Sequence, residues 1–562
     1  MAGEGCYEDI RVEADLHLRD APLGKWADNS DSAAAGAGAL RGNGDWPMMS
    51  FLQRHVFATA GWKMKHLVKY AAIASLLGGA LTSGCMDPGG GMDGAGGPAV
   101  ALEMSGAFER LAEKTMPRVP ASGSAPSFVV DAGWPKPLPN NWRVSQIGGL
   151  FVDQHDNIWV YHRPRALDAS SAGGLGIAGM NERGVPVSAL GHPRPYADQR
   201  SGCCVPAPSV LKFDPAGNLL DAWGGPADPG FLEQNCREED GCFWPAREHG
   251  IFVDHNDFVY ISGNGQNFFG QFPWAATFGD DSHVLKFTTD GEFIYQIGHA
   301  GMEGPDSENI DGGPNGTPQP YLVADMTVDP ETNLLYIADG YGNRRVLIVE
   351  AETGQYVGHF GAYGQNPVDD PDGTDIDPYD AGPWISDYQA GNLKPLFFRG
   401  PLHCAKISVD GLLYACDRGN NRVQIFDVNQ VGGVCSNPNR EPGVCGFVGE
   451  VHIAPHTASG TSGAVNFSTD PGQTCLYVED LANGTIYILN RENLHELDRI
   501  GRPGRQIGEF HWVHVVSIDS QGNLYTGEVD TGQRIQKFLR YGEETGCSGT
   551  GSADVGLYSL NR

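Results

Sequence analysis

From Phe128 onward the chain alternates apolar and polar residues in short runs broken by Asp, Asn and Gly turns, the period of two that half-buried β-strands require. Six segments share one form: an apolar strand, a tight turn and a second apolar strand. They are Gly149-Leu-Phe-Val-Asp153 to Val160, Gly250 to Ile261, Met326-Thr-Val-Asp329 to Ala338, Cys404 to Ala415, Asn466 to Val478 and Val515 to Thr526. Most continue into a third strand, such as Val210-Leu-Lys-Phe213, Val284-Leu-Lys-Phe287, Arg345-Val-Leu-Ile348, Arg422-Val-Gln-Ile-Phe426 or Ile535-Gln-Lys-Phe538. Several add a fourth, as in Leu219 to Trp223, Phe293 to Ile297 and Tyr356 to Phe360. Four strands per repeat, at a spacing of roughly 40 to 50 residues, predict an all-β fold: a six-bladed β-propeller in which each blade packs on its neighbours. The sixth repeat shows no fourth strand after Phe538; Phe128-Val-Val-Asp131, ahead of the first repeat, is placed to supply it and so close the ring.

Seventy-eight glycines and 37 prolines suit a fold of many tight turns. A net charge of −31 argues against nucleic acid as a partner, since phosphate contacts need concentrated Lys and Arg. Ahead of the repeats, Lys65, His66 and Lys69 precede the apolar run Tyr70-Ala-Ala-Ile-Ala-Ser-Leu-Leu77, which ends in small residues at Leu81-Thr-Ser-Gly-Cys85. This is the charged, apolar, then small order of a secretory signal. Met64 stands where translation would start. Residues 1–63 therefore read as a spurious extension, 64–85 as the signal, 86–127 as a flexible tether rich in Gly, Ala, Ser and Pro, and 128–562 as the propeller. Cys85 after Ser-Gly resembles a bacterial lipoprotein cleavage site, although Thr82 stands where Leu is usual. It is the lipidation candidate, and a lipid anchor is the expected tie to a membrane; a plain secretory signal or a short membrane anchor is the alternative. The expected location is the periplasm or cell surface. Ten cysteines besides Cys6 and Cys85 favour disulfides in an exported chain, with Cys236–Cys242, Cys435–Cys445 and Cys404–Cys416 as placeable pairs. No Cys-x-x-Cys pair supports a Cys metal cluster.

Candidate chemistry follows from register. His249, His403 and His514 each stand five residues ahead of the same point in the repeat, at Asp254, Ser408 and Asp519. They begin the inner strands of repeats two, four and six, while repeats one, three and five carry Gly148, Ala324 and Val465 at the position read as equivalent. Histidine at alternate blades lies about 120° apart around a central channel. Three neutral imidazoles converging on an axis suit Zn²⁺ with an open fourth position, the arrangement of a catalytic site. The competing reading is three channel histidines without metal. Second strands run back to the same rim and bring His162-Arg163-Pro164-Arg165, Asp339-Gly-Tyr341 and Asp417-Arg418 there. An arginine beside a metal can hold a carboxylate at two points, and a tyrosine beside Zn²⁺ can serve as a base. Blade-to-blade salt bridges are the competing reading for Arg163 and Asp339, and the preferred one for Arg418.

These residues carry a resemblance. The repeats resemble NHL repeats, and the rim resembles the peptidyl-α-hydroxyglycine α-amidating lyases, six-bladed propellers with a His₃ zinc site. The motifs are Tyr161-His-Arg163, Glu248-His-Gly-Ile251, Asp339-Gly-Tyr-Gly-Asn343, Pro401-Leu-His403 and Trp512-Val-His514, within a match from about Trp134 to Phe538. The resemblance implies His249, His403 and His514 as zinc ligands, Arg163 as the substrate-orienting arginine and Tyr341 as the catalytic base. It departs at Trp512-Val-His514-Val515, where the family usually has Met-Pro-His-Asp. The pocket methionine is thus replaced, and an aspartate that helps hold a structural calcium is absent; Ile251 and Leu150 would offer that calcium only backbone carbonyls. Long insertions, Ser170 to Pro208, Phe268 to Asp281 and Asn366 to Leu393, are expected to overhang one face.

The functional expectation is an exported zinc-dependent lyase acting on a small-molecule or peptide-like carbinolamide. The alternatives are a zinc enzyme for another small molecule, or a non-catalytic propeller that serves as a scaffold for a protein or ligand partner. Other motifs carry less. Gly174-Leu-Gly176-Ile-Ala-Gly179 matches a dinucleotide fingerprint in letters but lacks a βαβ setting. Asp369, Asp370, Asp372, Asp375, Asp377 and Asp380 read as a solvated acidic loop rather than a Ca²⁺ site.

Overall fold

The structure is a computed structural model that describes residues 123–166, 179–180, 186–187, 205–225, 236–265, 280–301, 305–367, 395–455, 457, 459–553 and 555. Residues 1–63, the signal stretch 64–85 with Cys85, Cys203, Cys204, the acidic run from Asp369 to Asp380 and most of the three insertions lie outside this set.

Six four-stranded antiparallel sheets form the blades. Their inner strands are Ile147–Val152, Glu248–Val253, Asp325–Asp329, Leu402–Ile407, Ser462–Phe467 and Val513–Ile518. Each inner strand contacts that of the next blade, and the sixth contacts the first, so the ring is closed. Closure is made by the strand Ser127–Asp131, which pairs antiparallel with Ile535–Tyr541 and completes blade six, Val130 opposite Phe538. Folded structure begins earlier than the expected boundary at Phe128. Gly123–Ser124 already pairs with Ser548–Gly549, so the last part of the expected tether belongs to the propeller.

Apolar residues of each repeat are buried between blades rather than within one. Six clusters sit one at each interface among the described residues. Trp159, Tyr161 and Trp223 of blade one, for example, meet Ile251, Val259 and Leu285 of blade two. A fully buried Leu, Ile or Phe contributes about 1.5–3 kcal/mol, so every blade depends on both neighbours for its stability. The aspartate that recurs in the repeat shapes the first hairpin. Asp153 accepts the amides of His155 and Asn157, Asp254 those of Asn256 and Phe258, and Asp519 those of Gln521 and Asn523, which is the Asx-turn chemistry that makes Asp a turn former.

Four disulfides join described residues: Cys236–Cys242, Cys404–Cys416, Cys435–Cys445 and Cys475–Cys547. The first three are the pairs read from the sequence. The fourth ties the second strand of blade five to the C-terminal segment. Disulfides at this density indicate a chain matured in an oxidising, extracytoplasmic setting.

Candidate functional site

The site is built where each inner strand starts. In five blades the ladder shifts register here: at Ile147/Gly149, Glu248/Ile251, Leu402/Cys404, Ser462/Val465 and Val513/Val515. His249, His403 and His514 occupy these shifts. A bulged residue leaves the regular ladder, which frees its side chain to turn toward the channel. The same register corrects one reading of the sequence: the counterpart of the histidines in blade five is Gly463, the residue after Ser462, and not Val465. The Cys404–Cys416 disulfide crosses the hairpin at the rung directly after His403.

The three imidazoles converge. Their ring centroids are 5.0, 4.7 and 4.7 Å apart, and their ligand atoms lie within 4.8 Å of one another. His403 Nε2 and His514 Nε2 are 3.1 Å apart. Two nitrogens bound to one tetrahedral Zn²⁺ would be separated by about 3.3 Å, so the spacing fits. Hydrogen bonding assigns the tautomers of two rings. His249 Nδ1 lies 2.7 Å from the carbonyl of Ala324, and His403 Nδ1 lies 2.6 Å from that of Gly463. Each ring therefore donates Nδ1–H to the equivalent position of the following blade and turns an Nε2 lone pair to the centre, the arrangement typical of metal-ligating histidine. The third does not repeat this: His514 Nδ1 is buried without a hydrogen-bond partner. Burial keeps all three neutral. It lowers the pKa of His403 to about 3, aided by the charge of Arg418, and holds His249 well below its usual value with contributions from His403 and Arg163, and His514 likewise with contributions from His249, His403 and Arg163. Neutral imidazole is the form a metal needs. The three histidines can hold a metal ion.

Tyr341 stands over this centre. Its hydroxyl is 3.0 Å from His249 Nε2 and 3.1 Å from His403 Nε2. The turn that presents it is fixed from both sides. Asp339, fully buried, accepts the Tyr321 amide, Asn343 Nδ2 and Arg345 Nε. A Cβ on Gly340 would fall 2.0 Å from the Leu402 carbonyl oxygen, so the backbone passes there only as glycine. The ion pair of Asp339 is thus with Arg345 of its own blade, not between blades.

Arg418 departs from its expected role. Its preceding residue Asp417 pairs with Arg422 in the same blade. This leaves the Arg418 guanidinium to reach the site, with Nη1 3.4 Å from the Tyr341 hydroxyl and Nη2 3.3 Å from the Ser459 carbonyl. Arg163 also lies at the rim: Nε donates to the Glu248 carbonyl and one Nη to Gln146 Oε1, and its charge is felt by all three histidines. The neighbouring His162 is structural. It accepts the Ser145 amide and donates to the Pro208 carbonyl, and burial lowers its pKa to about 4.

A calcium ion suits the channel poorly. Val515 offers no carboxylate, and Asp325, the acidic residue at the equivalent position of blade three, is already paired with Lys406 at 3.1 Å. The Lys406 ammonium, 5.6 Å from the Phe151 ring centre and 5.5 Å from that of Phe252, brings a fixed positive charge among inner-strand residues of four blades. A divalent ion beside it would be repelled, and Val515 and the paired Asp325 supply it no free carboxylate.

No protein-family profile matches the chain. Among curated proteins it is similar to the peptidyl-glycine alpha-amidating monooxygenase B of Xenopus laevis, 24% identical over 335 residues, 57% of this chain and 32% of the relative. The chain thus spans about a third of the length of that relative. Of solved structures, the virginiamycin B lyase from Staphylococcus aureus aligns at 10% identity and a TM-score of 0.33, over 70% of this chain and 84% of that one. A streptogramin B lyase aligns at 11% identity and 0.36, over 74% and 98%.

Proposed function

We propose that the chain is an exported zinc-dependent lyase that cleaves the C–N bond of an N-acyl-α-hydroxyglycine or a similar carbinolamide. The observation that carries this reading is the convergence of three buried, neutral imidazoles on one point beneath the Tyr341 hydroxyl. Zinc held by His249, His403 and His514 would supply Lewis acidity to a substrate oxygen. Tyr341, as the phenolate, takes the proton of the substrate hydroxyl, the C–O bond becomes a carbonyl as the C–N bond breaks, and the electron pair of that bond stays on the leaving amide nitrogen, which receives the proton back from the phenol. Arg418, 3.4 Å from that phenol oxygen, favours the phenolate form that must be present before the transfer. Arg163 lies where it can anchor the carboxylate of the glycine unit.

The test offers N-acyl-α-hydroxyglycine to the zinc-loaded full chain and follows glyoxylate. Release is expected, with a loss of about 10²- to 10⁴-fold in Tyr341→Phe while the metal stays bound, because only the proton acceptor is removed. Arg163→Ala should mainly raise KM. Zinc-loaded protein that releases no glyoxylate would overturn the amidating-lyase reading, and protein that takes up no metal would leave the propeller as a binding scaffold.

A further inference from the structure

Trp512 is held in a backbone conformation that a bulky residue rarely adopts. Its φ is 51°, left-handed, which costs roughly 1–2 kcal/mol in a side chain with a Cβ. The surrounding chain enforces it. The His511 amide donates to Glu528 Oε2, the Trp512 carbonyl accepts from Val529, and Phe510 is hydrogen-bonded in both directions, to Arg502 and Gly504. Residue 512 must then reverse the path so that Val513 can enter the inner strand. Glycine would do this without strain.

Blade three has the same geometry at the same place, and the contrast is informative. Leu322 also lies two residues ahead of the histidine level, with φ 56°, but its side chain is only 3% exposed and packing offsets the strain. Trp512 is half-buried, so less packing offsets its strain. What its indole does meet is the Arg418 guanidinium, 6.0 Å from the ring centre, and Arg418 in turn reaches Tyr341. A large flat side chain therefore stands beside the arginine that reaches the Tyr341 hydroxyl. Strain retained at a bulky, incompletely buried residue next to a site is a signature of a functional side chain.

We propose that Trp512 is the specificity-determining residue of this site, forming an apolar wall that selects a flat, preferably aromatic, acyl group on the carbinolamide nitrogen. The inference rests on the proposed lyase reading for its substrate class. A ring stacked on indole gains contact area and favourable ring geometry that a methyl group cannot match, a difference of about tenfold in affinity.

The experiment uses the zinc-loaded full chain as wild type, Trp512→Ala and Trp512→Phe, and has two readouts. Calorimetry compares binding of N-benzoylglycine with N-acetylglycine, which lack the hydroxyl and cannot react; glyoxylate release compares the KM values of the corresponding α-hydroxyglycines. Wild type is expected to favour the benzoyl ligand by about tenfold, Trp512→Phe to keep most of that preference, and Trp512→Ala to bring the ratio close to one. Preference unchanged in Trp512→Ala overturns the proposal. So does an equal loss for both ligands, which would make Trp512 a support for Arg418, and so does the binding of neither ligand by wild type. Benzoyl-selective binding that depends on Trp512, without glyoxylate release, would sustain the wall while overturning the lyase reaction.

Discussion

Two kinds of buried histidine sit side by side, and hydrogen bonding separates them. His162 uses both ring nitrogens on the protein, with the Ser145 amide and the Pro208 carbonyl, whereas His249 and His403 use only Nδ1 on a carbonyl and leave Nε2 for the centre. The pKa of His162, lowered to about 4 by burial, makes a stability prediction. The folded protein favours the neutral ring, so the contribution is full above the unfolded value of about 6.5 and is lost as pH falls from there toward 4, roughly 3 kcal/mol in all. The deficit of His162→Gln relative to wild type should thus be largest above pH 6.5 and shrink by about 2 kcal/mol on going to pH 5, measured by urea unfolding. A deficit independent of pH would show that the ring is not held neutral. Arg418 shows the limit of reading residues by spacing. Asp417 and Arg418 are adjacent and of opposite charge, yet Asp417 takes Arg422, because Arg422 stands directly opposite it on the neighbouring antiparallel strand while Arg418 already lies in the turn beyond the strand end.

At the scale of elements, the strands and their order were legible because burial between blades imposes a period of two and the Asx turn imposes a fixed aspartate. The register of blade five was less plain. The offset of five from Ser468, the residue matching Ser408, also leads to Gly463, but a glycine carries no side chain to mark the position. The turn of Tyr341 was legible as a motif but not as geometry. Gly340→Ala would press a methyl group into the Leu402 carbonyl, so it should cost about 1–3 kcal/mol and cut turnover by shifting Tyr341, with metal content retained. Turnover equal to wild type would mean the turn tolerates displacement. The pair of Lys406 with Asp325 predicts that calcium chelation with EGTA leaves the melting temperature unchanged. A fall of several degrees would place a calcium that these residues do not suit.

At the scale of the whole molecule, the ring is closed by Ser127–Asp131 on blade six, and the segment around Cys547 is fastened separately by its bond to Cys475 of blade five across a sequence separation of 72. Ring closure keeps blades two, four and six at fixed distances and so holds the three histidines together, although His249 and His514 are far apart in sequence. Replacing Cys475 and Cys547 by Ser should lower stability by roughly 4 kcal/mol on the loop-entropy scale, read as a lower urea midpoint; an unchanged midpoint would mean that strand closure alone suffices. The alternating-blade histidines were legible through their common offset of five from the turn, and only the folded ring shows that their Nε2 atoms meet. That meeting is tested most directly by zinc stoichiometry of the purified full chain, measured by mass spectrometry after dialysis against zinc and then metal-free buffer. One tightly held zinc per chain, absent in His403→Ala, is the expected result. Wild-type protein that retains no zinc, or His403→Ala that retains as much as wild type, would contradict a metal centre at His249, His403 and His514.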